Sequence, residues 1–455
     1  MHADPVAGLP SPLSLVLETR KMPGRGYGRW PPAHPEAFSG AFAVMSSHNA
    51  QRWMRLAAAG VLVSIVLFLQ SGWFMVLLEA PDPAEAAHRD WIQFHRTAER
   101  VVSGRSSEIY PVDFAGNGRP EFTDGFYFMY PPFAVWVTVP LAVLSRWGAY
   151  LACVLGVALG TLLATWGILR ALRTAPLQGF FATLATMASA PWNTAVLLGH
   201  LSGWLLLSPS LAFLAWARQR PGLAGASLAL LLAKPNWGLP LLVFLMFGRR
   251  WEMLGGFALG GIVLVLLSLP LGISLWGDWV QTMVGYRALI ADATPPWKQA
   301  TLFASFQSLA GRPGSDLWIV GTWIAFSILL MGAVVLAWFR QGHRNDAFPR
   351  LLGLALLATL VTNPYAYFYD ALLAMPAALV LWTQPHRYRS MLLRRGAMAA
   401  SLVTWVWMHL QFIILREGAP SLAGLGLAVW LLLDLADLRD PLPAPARLEP
   451  IEQKV

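Results

Sequence analysis

The chain has 455 residues, of which 56% are hydrophobic and 13% are charged, and its mean hydropathy is +0.52. These values exclude a soluble globular protein and indicate a polytopic membrane protein. The formal net charge is +9, but the basic residues stand in short clusters at the ends of apolar runs. They therefore predict cytoplasmic loops and not nucleic-acid binding. The single cysteine, Cys153, lies within an apolar run, which excludes a disulfide framework and a thiolate metal site.

Residues 1–50 are rich in Pro, Gly and Ser and lack a periodic apolar face, which predicts disorder. Met45 begins a segment that resembles an ordinary cytoplasmic start before a first span. Residues 1–44 are therefore open to a second interpretation, as an over-long N-terminal extension. Residues 56–78 are long and apolar enough to cross a bilayer, and two arginines precede them, so the next loop is expected outside.

That loop, residues 79–130, is acidic and polar, as an exported segment should be. Apolar side chains recur at helical spacing just after Asp90, namely at Trp91, Phe94, His95, Ala98, Val101 and Val102. The spacing predicts a short amphipathic helix that lies in the membrane plane, with Asp90, Gln93 and Thr97 on its polar face.

Eleven further spans are predicted, which gives about twelve with the first. They lie at residues 148–169, 177–198, 204–217, 223–233, 239–247, 251–271, 317–339, 351–361, 371–382, 397–415 and 422–435. Pro140 interrupts residues 131–145, so that segment is expected to dip into the membrane without crossing it. A full crossing there would invert every later assignment.

If residues 131–145 do not cross the membrane, every arginine cluster is predicted to be cytoplasmic. The clusters are Arg170 and Arg173, Arg218 and Arg220, Arg249 and Arg250, Arg340 and Arg344, and Arg387 to Arg395. Residues 199–203, 234–237, 272–316 and 363–370 are then expected outside, beside the first loop. The predicted organisation is a membrane domain over residues 51–437, with outer loops at 79–130 and 272–316, and a cytoplasmic tail over 438–455.

Several short motifs follow one another along this domain. They are Asp90-Trp91, Tyr110, Tyr130-Pro-Pro132, Leu198-Gly-His-Leu-Ser-Gly203, Ala224-Gly225, Ala233-Lys-Pro235, Gly248-Arg-Arg-Trp251, Phe306-Gln-Ser-Leu309, Asn363-Pro-Tyr365 and Tyr369-Asp370. Their order between residues 52 and 437 resembles glycosyltransferase family 87. The family comprises membrane enzymes of the C-type glycosyltransferase fold, known best as polyprenol-phosphate-mannose-dependent mannosyltransferases.

The resemblance implies an all-α membrane protein with an extracytoplasmic active site, a lipid-phosphate sugar donor and an acidic catalytic base in the first outer loop. The chain departs from the family pattern at three places. His200 replaces a common Gln, Phe306 replaces an Asn, and Asn363-Pro364 with the tyrosines that follow replaces a Ser-Pro segment with Trp and His. These departures concern the sugar and the acceptor more than the reaction type.

Displacing phosphate from a sugar's anomeric carbon needs a base for the acceptor hydroxyl and positive or dipolar groups for the departing phosphate. Asp90 is the candidate base, and capping of its helix is the alternative role. Lys234 is the candidate phosphate ligand, with snorkelling to the interface as the alternative. Arg287, Lys298 and Arg312 in the second loop are further phosphate candidates, or else solvated loop charges.

Sugar or acceptor contacts are predicted for a larger polar set, which is Tyr130, His200, Gln307, Ser308, Asn363, Tyr365 and Asp370. Several of them have an ordinary structural alternative. The histidine can be an interfacial residue, Gln307 and Ser308 can form a loop turn, and the tyrosines at 365, 367 and 369 can belong to an aromatic belt.

The sequence has no spaced His/Cys cluster, no Asp-x-Asp pair and no phosphate-binding Gly-x-x-x-x-Gly-Lys loop. This argues against a nucleotide-sugar donor, so no cofactor and no metal are expected. The expected partners are a polyprenyl-phosphate-linked sugar, a glycan or glycolipid acceptor and the lipid of the plasma (inner) membrane. A secondary transporter is the main rival, but the first outer loop and the short pair of runs over 223–247 have no counterparts elsewhere in the chain. A non-catalytic subunit of an envelope-assembly complex is the other rival.

Overall fold

The computed structural model describes residues 90–110, 128–293, 295–312, 314–415 and 419–438, with the side chains of 286–293, 413 and 414 left out. The predicted extension at 1–50, the predicted first span at 56–78 and the tail beyond residue 438 lie outside the described residues. Within these ranges the chain is helical, and an isolated bridge between Gln299 and Tyr367 is the sole extended pairing. The all-α prediction is therefore confirmed for the described part of the chain.

The α-helices are numbered here in chain order. They are α1 (Trp91–Val102), α2 (Val135–Thr138), α3 (Arg146–Ala171), α4 (Pro176–Met187), α5 (Ala190–Leu198), α6 (Ser202–Leu205), α7 (Leu207–Ala217), α8 (Pro221–Leu228), α9 (Pro235–Phe247), α10 (Trp251–Ser268), α11 (Ser274–Ala293), α12 (Leu302–Ala310), α13 (Leu317–Gln341), α14 (Phe348–Thr362), α15 (Met375–Thr383), α16 (Met391–Leu410) and α17 (Ala423–Asp437). Short 3-10 segments join several of them, at Ser106–Glu108, Pro132–Ala134, Val139–Val143, Ala229–Ala233, Leu269–Leu271, Pro296–Lys298, Phe368–Ala374 and Pro385–Arg387, and a π-helical turn at Gln411–Leu415 follows α16.

Three helices in the described ranges are long and apolar enough to cross a membrane: Arg146–Ala171, Trp251–Leu271 and Leu317–Gln341. They coincide with predicted spans. The second and third are mostly exposed on the surface of the bundle, as helices that face lipid would be. Shorter apolar helices occupy several of the other predicted positions. The total of about twelve spans stays a prediction.

The predicted span at residues 177–198 is instead two helices, α4 and α5, that meet at Ser189. The Ser189 hydroxyl accepts a hydrogen bond from the Trp192 backbone N–H, and Pro191 lies in the first turn of α5. Proline lacks an N–H and is favoured where a helix begins, so the local sequence starts a new helix here. The predicted span at 371–382 differs in the same way, since a 3-10 segment leads into α15 with Pro376 in its first turn.

Helix α14 forms the centre of the bundle, where every residue from Phe348 to Val361 is buried. It packs against α9, α13, α15 and α17. A helix that is apolar all round can be stable only where neighbours cover each of its sides. At 1.5 Å per residue it is about 22 Å long, so groups at its two ends are well separated. Arg350 lies in its first turn, and the chain after Thr362 leads to Asp370.

Candidate functional site

A buried polar cluster, called here the site cluster, gathers at the Asp370 end of α14. Its members come from five separate segments of the chain: the start of α1, the residues just before the 3-10 segment Pro132–Ala134, the turn from α5 into α6, the start of α9, and the 3-10 segment Phe368–Ala374. The side chains involved are Asp90, Tyr130, His200, Ser202, Lys234, Tyr369 and Asp370. The sequence analysis named Asp90, Tyr130, His200, Lys234 and Asp370 separately, and the fold places them together.

An ion pair between Lys234 and Asp370 lies at the middle of this cluster. Lys234 Nζ is 2.5 Å from Asp370 Oδ1, and the two side chains are 15% and 2% exposed. Oδ1 also accepts from the Ser202 hydroxyl at 3.0 Å, and Oδ2 accepts from the Tyr367 backbone N–H at 3.2 Å. The Asp370 carboxylate is therefore fixed by donors on both oxygens, which compensates the cost of burying it.

His200 joins this carboxylate to the aromatic side of the site. Its Nδ1 accepts from the Ser202 backbone N–H at 3.1 Å and lies 2.8 Å from the Ser202 hydroxyl. The other ring nitrogen, Nε2, forms a hydrogen bond with the Tyr130 hydroxyl at 2.8 Å, and the tautomer of the ring sets which of the two groups donates. The ring also stacks on Tyr369 at 3.8 Å. His200 was predicted to contact a sugar hydroxyl, but both of its nitrogens have protein partners here.

Asp90 immediately precedes α1, and its side chain makes no capping hydrogen bond to that helix. The capping alternative therefore does not account for its position. The Tyr369 hydroxyl hydrogen-bonds to the carboxylate, whereas Oδ2 is buried without a partner among the described residues. The pKa of Asp90 is raised to about 6: burial is the largest cause and Asp370 adds to it, while Lys234 and the Tyr369 hydrogen bond oppose the increase. Asp90 is thus ionised at pH 7 and easily protonated below pH 6.

The predicted amphipathic helix is present as α1, but its polar face is not open to water. Gln93 and Thr97 are buried, as are the apolar residues of the first two turns. The reason is tertiary packing: α1 is covered by α2, α3 and the 3-10 segment Val139–Val143. His95 also contacts this cover, through Nε2 at 3.1 Å from the Leu144 carbonyl oxygen. Asp90, at the end of the helix, is the group that reaches the site.

Aromatic rings surround the Lys234 ammonium group. Its Nζ lies 4.9 Å from the centre of the Trp237 ring, 5.2 Å from that of Tyr369 and 6.0 Å from that of Tyr130. Cations are attracted to ring faces at these distances. The rings therefore hold the charge inside the site, where the interfacial alternative of snorkelling would have taken it outward.

Two glycines of the Leu198-Gly-His-Leu-Ser-Gly203 motif allow this geometry. Gly199 ends α5 with φ of +62°, and a Cβ there would lie 2.9 Å from Cβ of Trp91. A Cβ on Gly203 would lie 2.7 Å from the Val157 carbonyl oxygen. Only glycine fits both the left-handed conformation at 199 and the close contacts. The glycines thus bring α1 and α3 against the turn that carries His200 and Ser202.

Four other predicted residues lie around α12 and the end of α14. The Ser308 hydroxyl accepts from the Ser421 backbone N–H at 2.9 Å, and Asn363 Oδ1 accepts from the Tyr365 N–H at 2.9 Å. Gln307 Oε1 and Asn363 Nδ2 are buried without partners among the described residues. None of these contacts involves Asp90 or Lys234.

The predicted phosphate ligands of the second loop differ from one another. Arg312 pairs with Asp316 at 3.0 Å and is 57% exposed, which fits the alternative of a solvated loop charge. Lys298 lies over the Trp297 ring and is near enough to Asp90 to lower its pKa slightly. Arg287 is in α11, and its side chain lies outside the described residues.

Sequence reasoning did not assign Ser202, Trp237 or Tyr369 to the site. Ser202 belongs to a quoted motif and Tyr369 precedes a named acid, so both were visible in the sequence as neighbours of candidates. The hydrogen bond from Ser202 to Asp370 joins residues that are 168 positions apart in the chain. Helical periodicity gives no information on contacts between residues so far apart.

In the described ranges no three His, Cys, Asp and Glu side chains come together as a possible metal site. The chemistry that the cluster itself can supply is that of one free carboxylate oxygen beside a fixed ammonium group. Such a pair can take a proton from a hydroxyl and stabilise a negative charge that develops nearby.

Comparison with known protein families gives a match. The model of glycosyltransferase family 87 matches residues 128–362, which is about half of the chain. The matched segment includes Tyr130, His200 and Lys234, while Asp90 precedes it and Asp370 follows it. No curated protein matches the chain.

Proposed function

The chain belongs to glycosyltransferase family 87, and we propose that it transfers mannose from a polyprenyl-phosphate donor to a glycan or glycolipid acceptor. The proposed reaction is a single displacement that inverts the anomeric centre, on the extracytoplasmic side of the plasma membrane. The observation that carries it is the buried Oδ2 of Asp90, which has no hydrogen-bond partner among the described residues and whose carboxylate lies beside the Lys234–Asp370 ion pair.

In this reaction Asp90 is the general base. The acceptor oxygen forms a bond to the anomeric carbon as its proton moves to Asp90 Oδ2. The bond between that carbon and the phosphate oxygen breaks, and its electron pair leaves with the phosphate. A base acts best when its pKa lies near the working pH, because it must be ionised and still bind a proton readily. The pKa of about 6 that burial gives Asp90 meets that requirement.

Lys234 is proposed to bind the departing phosphate. An ammonium group has three N–H donors, and Asp370 takes one of them at Oδ1. The remaining donors can reach phosphate oxygens, while the surrounding rings keep the ammonium group in place. Asp370 orients Lys234 and balances its charge before the donor arrives, so that the site does not bury an isolated cation.

The lipid tail of the donor can lie along the surface that faces the bilayer. The chain leads from Tyr130 directly into the apolar segment Pro132–Val143, which contacts α10. Trp136 Nε1 donates to the Leu267 carbonyl oxygen at 2.7 Å, and the apolar residues of α10 are largely exposed. This path joins the site to a surface on which a polyprenyl chain is favourably solvated.

The test is an assay of the purified protein in detergent against a panel of polyprenyl-phosphate sugars, with nucleotide sugars as the comparison set. We expect turnover with a polyprenyl-phosphate hexose, mannose first among them, and a product of inverted anomeric configuration. Turnover with a nucleotide sugar in place of the lipid donor would refute the donor assignment. A product that retains the donor's configuration would refute the single displacement.

A further inference from the structure

A cavity of about 330 Å³ lies at the other end of the bundle from Asp90. We call it the arginine pocket. It is lined by the side chains of Trp216, Arg220, Arg249, Arg250, Trp251 and Glu252, among others. Asn345, three residues before α14 begins, also lines it, so the pocket belongs to the Arg350 end of that central helix. It shares no residue with the site cluster.

The pocket is formed where α8 and α10 begin side by side. A Cβ on Gly225 would collide with the Met253 carbonyl oxygen, and one on Gly256 would collide with that of Gly222. Glycine at these places lets the two helices approach until their backbones touch. Arg220 and Arg250 directly precede the two helices, and neither caps its helix with its side chain. Both helix starts therefore add a partial positive charge at the pocket.

The arginine charges of the pocket are not balanced by carboxylates. Arg250 donates to the Gly342 carbonyl oxygen, to the Arg344 carbonyl oxygen at 2.6 Å and to Asn345 Oδ1 at 2.6 Å, all of them uncharged acceptors. In the part of the chain that the structure describes, no carboxylate forms an ion pair with Arg220, Arg249 or Arg250. Glu252 is the one acid among the lining residues, against three arginines, of which Arg249 also has its guanidinium group 5.4 Å from the centre of the exposed Phe339 ring.

The buried Arg350 differs from these arginines, because carboxylates balance its charge. At the same end of the bundle it is paired with both Asp434 and Asp437. The nearby acid Asp346 forms its ion pair with Arg344, and it interacts electrostatically with Arg250 without forming an ion pair with it. A concave site that keeps three guanidinium groups without carboxylate partners is suited to an anion, and guanidinium groups bind phosphate oxygens with good geometry.

The position of the pocket indicates where that anion comes from. Trp251, which is 61% exposed, lines the pocket and begins α10, and the same helix then exposes Leu259, Ile262 and Leu266. Tryptophan is typical of the membrane interface, and the exposed apolar side of α10 is typical of contact with acyl chains. A headgroup in the pocket would thus be continuous with chains along α10.

We propose that the arginine pocket binds the phosphate of an anionic phospholipid whose acyl chains lie along the exposed side of α10. Arg220 and Arg249 contact the phosphate from the exposed rim, and Arg250 contacts it from the partly buried wall. Trp216 and Trp251 pack against the glycerol region. The site is distinct from the proposed donor site and does not depend on the reaction assigned to Asp90.

The test measures lipid binding by native mass spectrometry of the purified full-length protein, titrated with phosphatidylglycerol or phosphatidylcholine. The pocket variant is Arg220→Gln with Arg249→Gln. The matched control is Arg173→Gln with Arg340→Gln, which removes the same charge from the same end of the bundle outside the pocket. Basic residues near an anionic membrane contribute about 1 kcal/mol each, so we expect phosphatidylglycerol affinity to fall about fivefold per pocket arginine.

The wild type should prefer phosphatidylglycerol, and the control variant should keep that preference. An equal loss in the two double variants would mean diffuse surface attraction and would overturn the proposal. Glycerol phosphate that binds as tightly as the whole lipid would assign the pocket to a soluble phosphate ester instead. If the double variant is not folded by size-exclusion chromatography, Arg249→Gln alone carries the test, with a fivefold loss expected and no loss refuting it.

Discussion

The two ends of α14 each carry a buried cluster of charges, and the clusters differ in how completely their groups are satisfied. At one end Arg350 donates four hydrogen bonds, to the Asp434 carboxylate and carbonyl oxygens, to the Asp437 carboxylate and to the Arg387 carbonyl oxygen. Asp437 also accepts from the backbone N–H groups of Arg389 and Ser390, and Asp434 accepts from the Tyr388 hydroxyl. At the other end Asp90 keeps a buried oxygen without a partner among the described residues.

This difference separates a structural role from a chemical one. The Arg350 cluster ties α14, α17 and the segment between α15 and α16 together, and it leaves no charged atom free for a ligand. In the site cluster Lys234 and Asp370 are held by their ion pair, whereas burial disfavours the charged form of Asp90 and raises its pKa. A buried charged group without a hydrogen-bond partner destabilises the folded protein, and a bound substrate can supply the missing partner.

The largest effect is expected at Asp90. Asp90→Asn keeps the size of the side chain but cannot accept a proton, so turnover should fall about 10²–10⁴-fold, the usual contribution of a general base. Since the amide carries no charge to bury, thermal stability at pH 8 should stay the same or rise. Glu108→Gln removes an exposed carboxylate from the same loop and is the matched control. Turnover of Asp90→Asn close to that of this control would place the base elsewhere.

The second largest effect is expected at Arg350, on stability and not on catalysis. Arg350→Met leaves two buried carboxylates without their cation, and removing one partner of a buried ion pair typically costs about 3–5 kcal/mol. Thermal unfolding in detergent would measure the loss. The fraction of protein that remains folded should turn over normally. A stable variant with lost activity would contradict the division of roles between the two clusters.

Lys234 should give a smaller effect that is specific to the donor. Lys234→Met removes a charged hydrogen bond to phosphate, worth about 1.5–3 kcal/mol, so donor affinity should fall about 10–100-fold with acceptor KM unchanged. The positive charge also lowers the pKa of Asp90. Its loss should therefore move the acidic limb of the pH–rate profile upward from about pH 6. Unchanged donor affinity in a folded variant would remove Lys234 from the phosphate site.

The smallest effect is expected at Tyr369. Asp90 must be ionised to act as a base, so activity should fall as the pH drops through about 6. The Tyr369 hydroxyl hydrogen-bonds to the carboxylate and favours its charged form. Tyr369→Phe should raise the pKa of Asp90 and shift the acidic limb toward neutral pH, with little change in the plateau rate. A shift toward lower pH would show that the sign of this interaction is wrong.

Hydropathy and spacing determined a large part of this protein. They predicted an all-α membrane chain and the three long apolar helices that the described residues contain. The length of an apolar run is visible in the local sequence, and it decides whether a helix can cross a bilayer. The short motifs indicated the family that the comparison shows. Asp90, Lys234 and Asp370 could be named one by one, since isolated charges beside apolar runs are conspicuous.

The tertiary structure decided which of these charges meet. Lys234 and Asp370 pair across 136 residues, and His200, for which the sequence left a sugar contact and an interfacial role open, has Tyr130 and Ser202 as partners. No role was predicted for Arg350, and its two carboxylate partners lie 84 and 87 residues further along the chain. Periodicity reports only the face of a helix on which a residue stands. Whether a charge is neutralised or left free depends on the groups that distant helices bring to it, which only the packed fold defines.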